Sequence, residues 1–114
     1  MMRPILLLSC AATLSACATR NPPLYYWGDY PTQQYAYFKA EKGPEESILS
    51  LEKIREEARA KGKNVPPGMQ AHLGMLYGQT GRTDLFELNL QAEREQYPES
   101  STFMDFLLKK NQGQ

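Results

Sequence analysis

PGMQAHLGMLYGQTGRTDLFELNLQAEREQYPES, residues 67–100, is the stretch that decides the fold. Leu73, Leu76 and Tyr77 recur at the three-and-four spacing of one helix face, which predicts a helix over Pro67 to Gln79. Thr80-Gly81-Arg82 is a tight connection. A second helix follows from about Thr83 to Gln96, with Phe86, Leu90 and either Glu93 or Ala92 near one face. Tyr97-Pro98-Glu99-Ser100 stops it, because proline has no amide hydrogen to give and its ring clashes with the preceding turn. Two helices joined by so short a link pack as antiparallel neighbours.

These 34 residues resemble a tetratricopeptide repeat. Leu73 and Gly74 fall at the Leu-Gly positions of that pattern, Tyr77 at its Tyr position, Gly81 in the turn and Pro98 at the terminal Pro position. Gly74 lets the two helices approach closely, and Tyr77 fills the hairpin interior. Two positions depart from the pattern: Phe86 and Glu93 stand where small residues are expected, with Ala92 beside the second. A hairpin splayed or adjusted at those points is the expectation. One such unit cannot bury its apolar face alone, because repeats of this kind become stable by stacking.

The stacking neighbour is the segment from Pro31 to Lys61. Pro31 suits a first helical turn, so Pro31 to Glu41 is predicted as a short helix with Tyr35 and Phe38 on its buried face. Lys42-Gly43-Pro44 breaks it. Pro44-Glu45-Glu46 opens the next helix, with acids where the helix dipole favours them. Ile48, Leu51, Ile54 and Ala58 form its apolar stripe; Glu52, Lys53, Arg55, Glu56, Glu57 and Arg59 read as a solvated charged face. Lys61-Gly62-Lys63 ends it, and Asn64-Val65-Pro66-Pro67-Gly68 is a rigid loop. Ser100 or Ser101 is the expected cap of a last helix holding Phe103, Phe106, Leu107 and Leu108, ahead of a frayed end at 111–114. Short extended pieces are expected only near Val65 and in Tyr25 to Tyr30. The fold class is therefore all-α: a small TPR-like stack of about four to five helices over residues 31–110.

Ahead of that domain lies an export signal. Met1, Met2 and Arg3 give a short positive start, Ile5 to Leu8 are continuously apolar, and small residues lead to Leu14-Ser15-Ala16-Cys17. That last run is a lipobox. It predicts removal of residues 1–16 and acylation of Cys17, which becomes the membrane anchor. The apolar stretch is too short to be a span, which needs about 20 apolar residues. Ala18, rather than an Asp, follows Cys17, which favours an outer-membrane address facing the periplasm. Residues 17–30 are then a lipidated, Pro-rich tether followed by an aromatic segment, Tyr25-Tyr26-Trp27-Gly28-Asp29-Tyr30, with Tyr35 soon after. Tyr25, Tyr26, Trp27, Tyr30 and Tyr35 are candidate interaction residues, since aromatics are enriched at interface centres. The same rings also suit packing onto the helices, and the sequence leaves both uses open.

Little points to chemistry. The chain from Cys17 onward has 12 basic against 13 acidic residues once Arg3 is removed, and it has no basic stripe, so no nucleic-acid partner is expected. Cys17 is its sole cysteine, which excludes a disulfide within it and a thiolate metal site. His72 is the only histidine, too few for zinc, and no serine sits in a nucleophile elbow. The carboxylates lie on charged helix faces. No catalytic residue, metal or cofactor is expected.

The ordered set Tyr26-Trp27-Gly28-Asp29-Tyr30, Pro66-Pro67-Gly68, Ala71-His72-Leu73-Gly74, Pro98-Glu99-Ser100 and Phe103-Met104-Asp105 resembles a family of small bacterial lipoproteins, the domain of unknown function numbered 4810. The resemblance implies a periplasmic lipoprotein without assigned activity, encoded beside a lipoprotein similar to the curli secretion channel and a second small lipoprotein. The expected function is a non-enzymatic accessory subunit of such an envelope assembly. The alternative is an envelope lipoprotein that binds peptidoglycan or polysaccharide.

Overall fold

The computed structural model describes residues 23–113. The predicted lipobox Leu14, Ser15, Ala16 and the predicted acylation site Cys17 lie outside them. Five α-helices follow in order: α1 Tyr30–Phe38, α2 Pro44–Ala60, α3 Met69–Gln79, α4 Thr83–Gln96 and α5 Ser101–Gln112, the last preceded by a 3₁₀ turn at Pro98–Ser100. The fold is all-α, and each helix packs on the one before it, α4 on α3 most extensively. The extended elements among the described residues reduce to one isolated parallel bridge, Tyr25 to Asn64. No helix among the described residues is long and apolar enough to cross a membrane.

α3 and α4 form the antiparallel hairpin that the sequence predicts. Ordered contacts run in opposite senses along them, Gly68 to Glu93, Gly74 to Leu90 and Gly78 to Phe86. α3 starts at Met69, two residues after the expected Pro67, because Gly68 sits at φ 92°, a left-handed conformation no helix continues through. Gly81 does the same work in the turn, at φ 80°. Of the two expectations at Phe86, splay or adjustment, the hairpin shows the adjustment. The Phe86 ring lies over Gly78, where an added Cβ would stand 3.2 Å from it, so a second glycine absorbs the bulk.

The main core joins α2, α3 and the entering chain through Tyr30, Ile48, Leu51, Ile54, Ala58, Val65, Met69, Leu73, Leu76 and Tyr77, all buried. A polar network ties α2, α3 and α4. Tyr77 Oη donates to Glu52 at 2.7 Å; Arg55 donates to Glu52 at 2.5 Å and to Asn89 at 2.9 Å. Glu52 and Arg55 are therefore not part of a free charged face. Hydrogen bonds to charged groups contribute about 1.5–3 kcal/mol. Tyr77–Glu52 and Arg55–Asn89 hold α2 against the two arms of the hairpin, and the Arg55–Glu52 pair within α2 orients both side chains.

The first helix buries another face than expected, and the last buries only part of its apolar set. α1 buries Tyr30, Gln33 and Ala36, while Tyr35 and Phe38 face water. Its phase is fixed at the start, where Gln33 donates to Asp29 at 2.9 Å and accepts from Lys42 at 3.1 Å. Small Ala36 then permits close approach. α5 buries Met104, with Leu107 and Leu108 beside it against Phe86, Leu90 and Ala71; Phe103 and Phe106 stay outside. Arg94 donating to Asp105 at 2.5 Å helps set that rotation. Ser100 does not cap α5: its hydroxyl donates to the Tyr97 carbonyl at 2.7 Å. α5 continues through Gln112, two residues past the expected edge of the domain.

Candidate interaction surface

The aromatic segment enters the fold in alternating directions. Tyr25 meets Tyr97 edge-on at 5.8 Å, and Tyr97 itself donates to the Val65 carbonyl. Tyr26 points the other way, its hydroxyl donating to Glu57 at 2.7 Å beneath Lys61, whose Nζ is 4.9 Å from the ring. The Tyr26 amide donates to the Asn64 carbonyl at 2.8 Å. Glu57 is thus engaged by Tyr26 and Lys53. Tyr30 is core, and burial pushes its hydroxyl up to about 12. Of the five candidate interaction residues, Tyr25, Tyr26 and Tyr30 are committed to packing, while Trp27 and Tyr35 are open to partners.

His72 lies between the rings of Tyr30 and Tyr37, with centroids 6.1 and 4.6 Å away. Burial pulls its imidazole below the usual histidine range. Its Nε2 is buried without a hydrogen-bond partner among the described residues, and no group of three potential metal ligands occurs among them. The residue packs aromatic side chains together.

Glu93 is the polar residue whose role the sequence concealed. It is buried, and its Oε1 accepts the Gly68 amide at 2.6 Å. α3 has no capping side chain of its own, because its N-cap is Gly68. A carboxylate from α4 fills that role, facing the positive end of α3. Burial pushes the Glu93 carboxyl above its ordinary range; the amides of Gly68, Ala71 and Gln70 pull the other way. The departure from the repeat pattern at this position is the one signal that marked it.

The sign of the pH dependence follows. The folded chain holds the Glu93 proton more tightly than the unfolded chain, so this carboxyl makes stability fall as pH rises above about 4.5. His72 opposes it, since its lowered pKa makes stability fall as pH drops below about 6.5. Glu93→Gln keeps the acceptor and removes only the first effect. Its melting temperature should gain on that of the parent as pH rises from 4.5 toward neutrality. A difference independent of pH in a fluorimetric melt series would contradict the buried-carboxyl account.

The open surface lies at α5. Phe103 and Phe106 are each 59 % exposed. Beside them a groove of about 290 Å³ runs between α3, α4 and α5, lined by Met75, Gly78, Phe86, Leu107 and Lys110 among others. The sequence set Phe103 and Phe106 in the last helix without assigning them a face, and gave Met75 no role.

Fold and surface together define a small helical-hairpin stack with an uncovered apolar end. The chain belongs to the family described as a domain of unknown function, DUF4810, whose model matches residues 24–107. No curated protein and no solved structure matches it.

Proposed function

We propose that this protein is a non-enzymatic lipoprotein, anchored by acylated Cys17 in the outer membrane and facing the periplasm, that serves as an accessory subunit of an envelope lipoprotein assembly. The observation that carries the interaction role is the ridge of Phe103 and Phe106 beside the groove lined by Met75 and Leu107. α5 takes the place of the first helix of a further hairpin, and no second helix covers it among the described residues. In stacked repeats such a face is covered by the next element. Contiguous exposed apolar surface marks interaction sites, and aromatic anchors dominate their energetics. The resemblance read from the sequence supplies the kind of partner: a secretion-channel-like lipoprotein, together with a second small lipoprotein.

Replacing Phe103 and Phe106 together by Ser tests this. Both rings are largely in water already, so the melting temperature should hold within a few degrees while co-purification of the envelope partner is lost. Undiminished co-purification would sink the assignment of this face. The glycan-binding alternative draws on the openness of Trp27 and Tyr35, and quenching of Trp27 emission by peptidoglycan fragments would favour it.

A further inference from the structure

Four large apolar side chains that stand in water fall in the first stretch of the described chain, from Leu24 to Phe38: Leu24 is 76 % exposed, Trp27 45 %, Tyr35 59 % and Phe38 79 %. α1 gathers two of them. With Tyr30, Gln33 and Ala36 turned inward, the helical period of 3.6 residues places Pro31, Gln34, Tyr35 and Phe38 on the outer arc. That arc has no charged residue. Lys39 follows it, with Nζ 5.6 Å from the Tyr35 ring. The exposed Trp27 ring stands 6.4 Å from Tyr30 at the start of α1, and Tyr30, Gln34 and Phe38 border one depression of about 230 Å³.

The covalent path says what this surface meets. Cys17 precedes Pro23 by six residues, a reach of at most about 20 Å even when fully extended. A lipid anchor at Cys17 therefore holds the Pro23 end of the domain within about 20 Å of the bilayer, with Leu24 and Trp27 the first apolar groups it presents. Trp and Tyr settle at the headgroup level, where an apolar ring body and a polar tip are both satisfied. Exposed Lys61 and Lys63 sit at the same entry, beside the Tyr25–Asn64 bridge, and suit anionic phosphate groups.

We propose that Leu24, Trp27 and the outer arc of α1 dock on the lipid surface that anchors Cys17. The inference rests on the anchored-lipoprotein reading. Docking leaves α5, at the other end of the stack, available to a protein partner.

Trp27 is the single tryptophan, so its emission reports the contact directly. The acylated protein is reconstituted in vesicles of phosphatidylethanolamine and phosphatidylglycerol, with and without brominated acyl chains. Flotation and the mass of the N-terminal peptide establish the anchor in the same samples. The expected result is a blue shift of Trp27 and its quenching by brominated lipid, both reduced in Phe38→Ser, whose exposed ring is not needed for folding. Floating, acylated protein whose Trp27 stays open to aqueous iodide and untouched by brominated lipid would overturn the docking and leave the anchor intact. Protein that carries no acyl chain would overturn the anchor and the docking with it. A blue shift that appears only when an envelope protein is added would assign this face to that protein and overturn the lipid contact.

Discussion

Gly74→Val is expected to lower the melting temperature by roughly 12 to 24 °C, the equivalent of about 3 kcal/mol in a domain of this size. Gly74 lies mid-helix in α3, where glycine costs helix stability, so its presence requires a packing reason. The reason is the approach of α4. An added Cβ would stand 2.5 Å from Leu90 Cδ1, 3.1 Å from the Phe86 carbonyl oxygen and 3.2 Å from the Asn89 Cβ. The leucine methyl can swing aside, but the backbone carbonyl cannot. Valine adds two further methyl groups with one preferred rotamer in a helix. The hairpin must open, and the loss spreads to Glu93, whose hold on Gly68 needs the same interhelical distance. Gly74→Ala should cost less, since improved helix propensity returns up to about 1 kcal/mol. A circular-dichroism melt within a few degrees of the parent for Gly74→Val would contradict the close-packed hairpin.

Cys17→Ser is expected to move the protein wholly from the membrane fraction to the soluble periplasm with no change in melting temperature. Each buried methylene adds about 0.8 kcal/mol, and stable anchoring takes more than one chain. A few exposed rings on α1 bury far less apolar area than acyl chains do, so they cannot replace them after washing. The packed part of the described chain lies beyond Cys17, with Tyr25 already paired to Asn64. Fractionation of cells, with the melt repeated on the soluble variant, checks both halves. Variant protein of mature length that stays in the washed membrane fraction would contradict acylation at Cys17 as the anchor.

The number and order of the helices were legible because their signals are local. Ile48, Leu51, Ile54 and Ala58 keep helical spacing, Gly81 and Pro98 punctuate, and all four stripe residues are buried. The spacing that makes a tetratricopeptide-like hairpin also survived translation into contacts at Gly74 and Tyr77. Which face a short helix buries is a different question, decided by contacts with residues outside that helix. α1 and α5 each carry apolar residues around most of their circumference, so the pattern did not choose among them. Gln33 bonding to Asp29 and Lys42, and Arg94 bonding to Asp105, made the choice. Charged residues misled for the same reason. Glu52, Arg55 and Glu93 look like surface, yet each is held by a donor or acceptor more than twenty residues away. The aromatic segment was legible as important but not as divided: three of its rings pack inward, and Trp27 and Tyr35 remain outside.

The central claim is that the α5 ridge meets another envelope protein. A photo-crosslinking amino acid placed at Phe106 in the acylated protein, in living cells, tests it most directly. The same probe at Leu49, an exposed apolar position on α2, is the comparison. The account predicts that Phe106 captures one reproducible envelope lipoprotein by mass spectrometry and that Leu49 does not. Capture of the same species from both positions, or of peptidoglycan alone from Phe106, would contradict it.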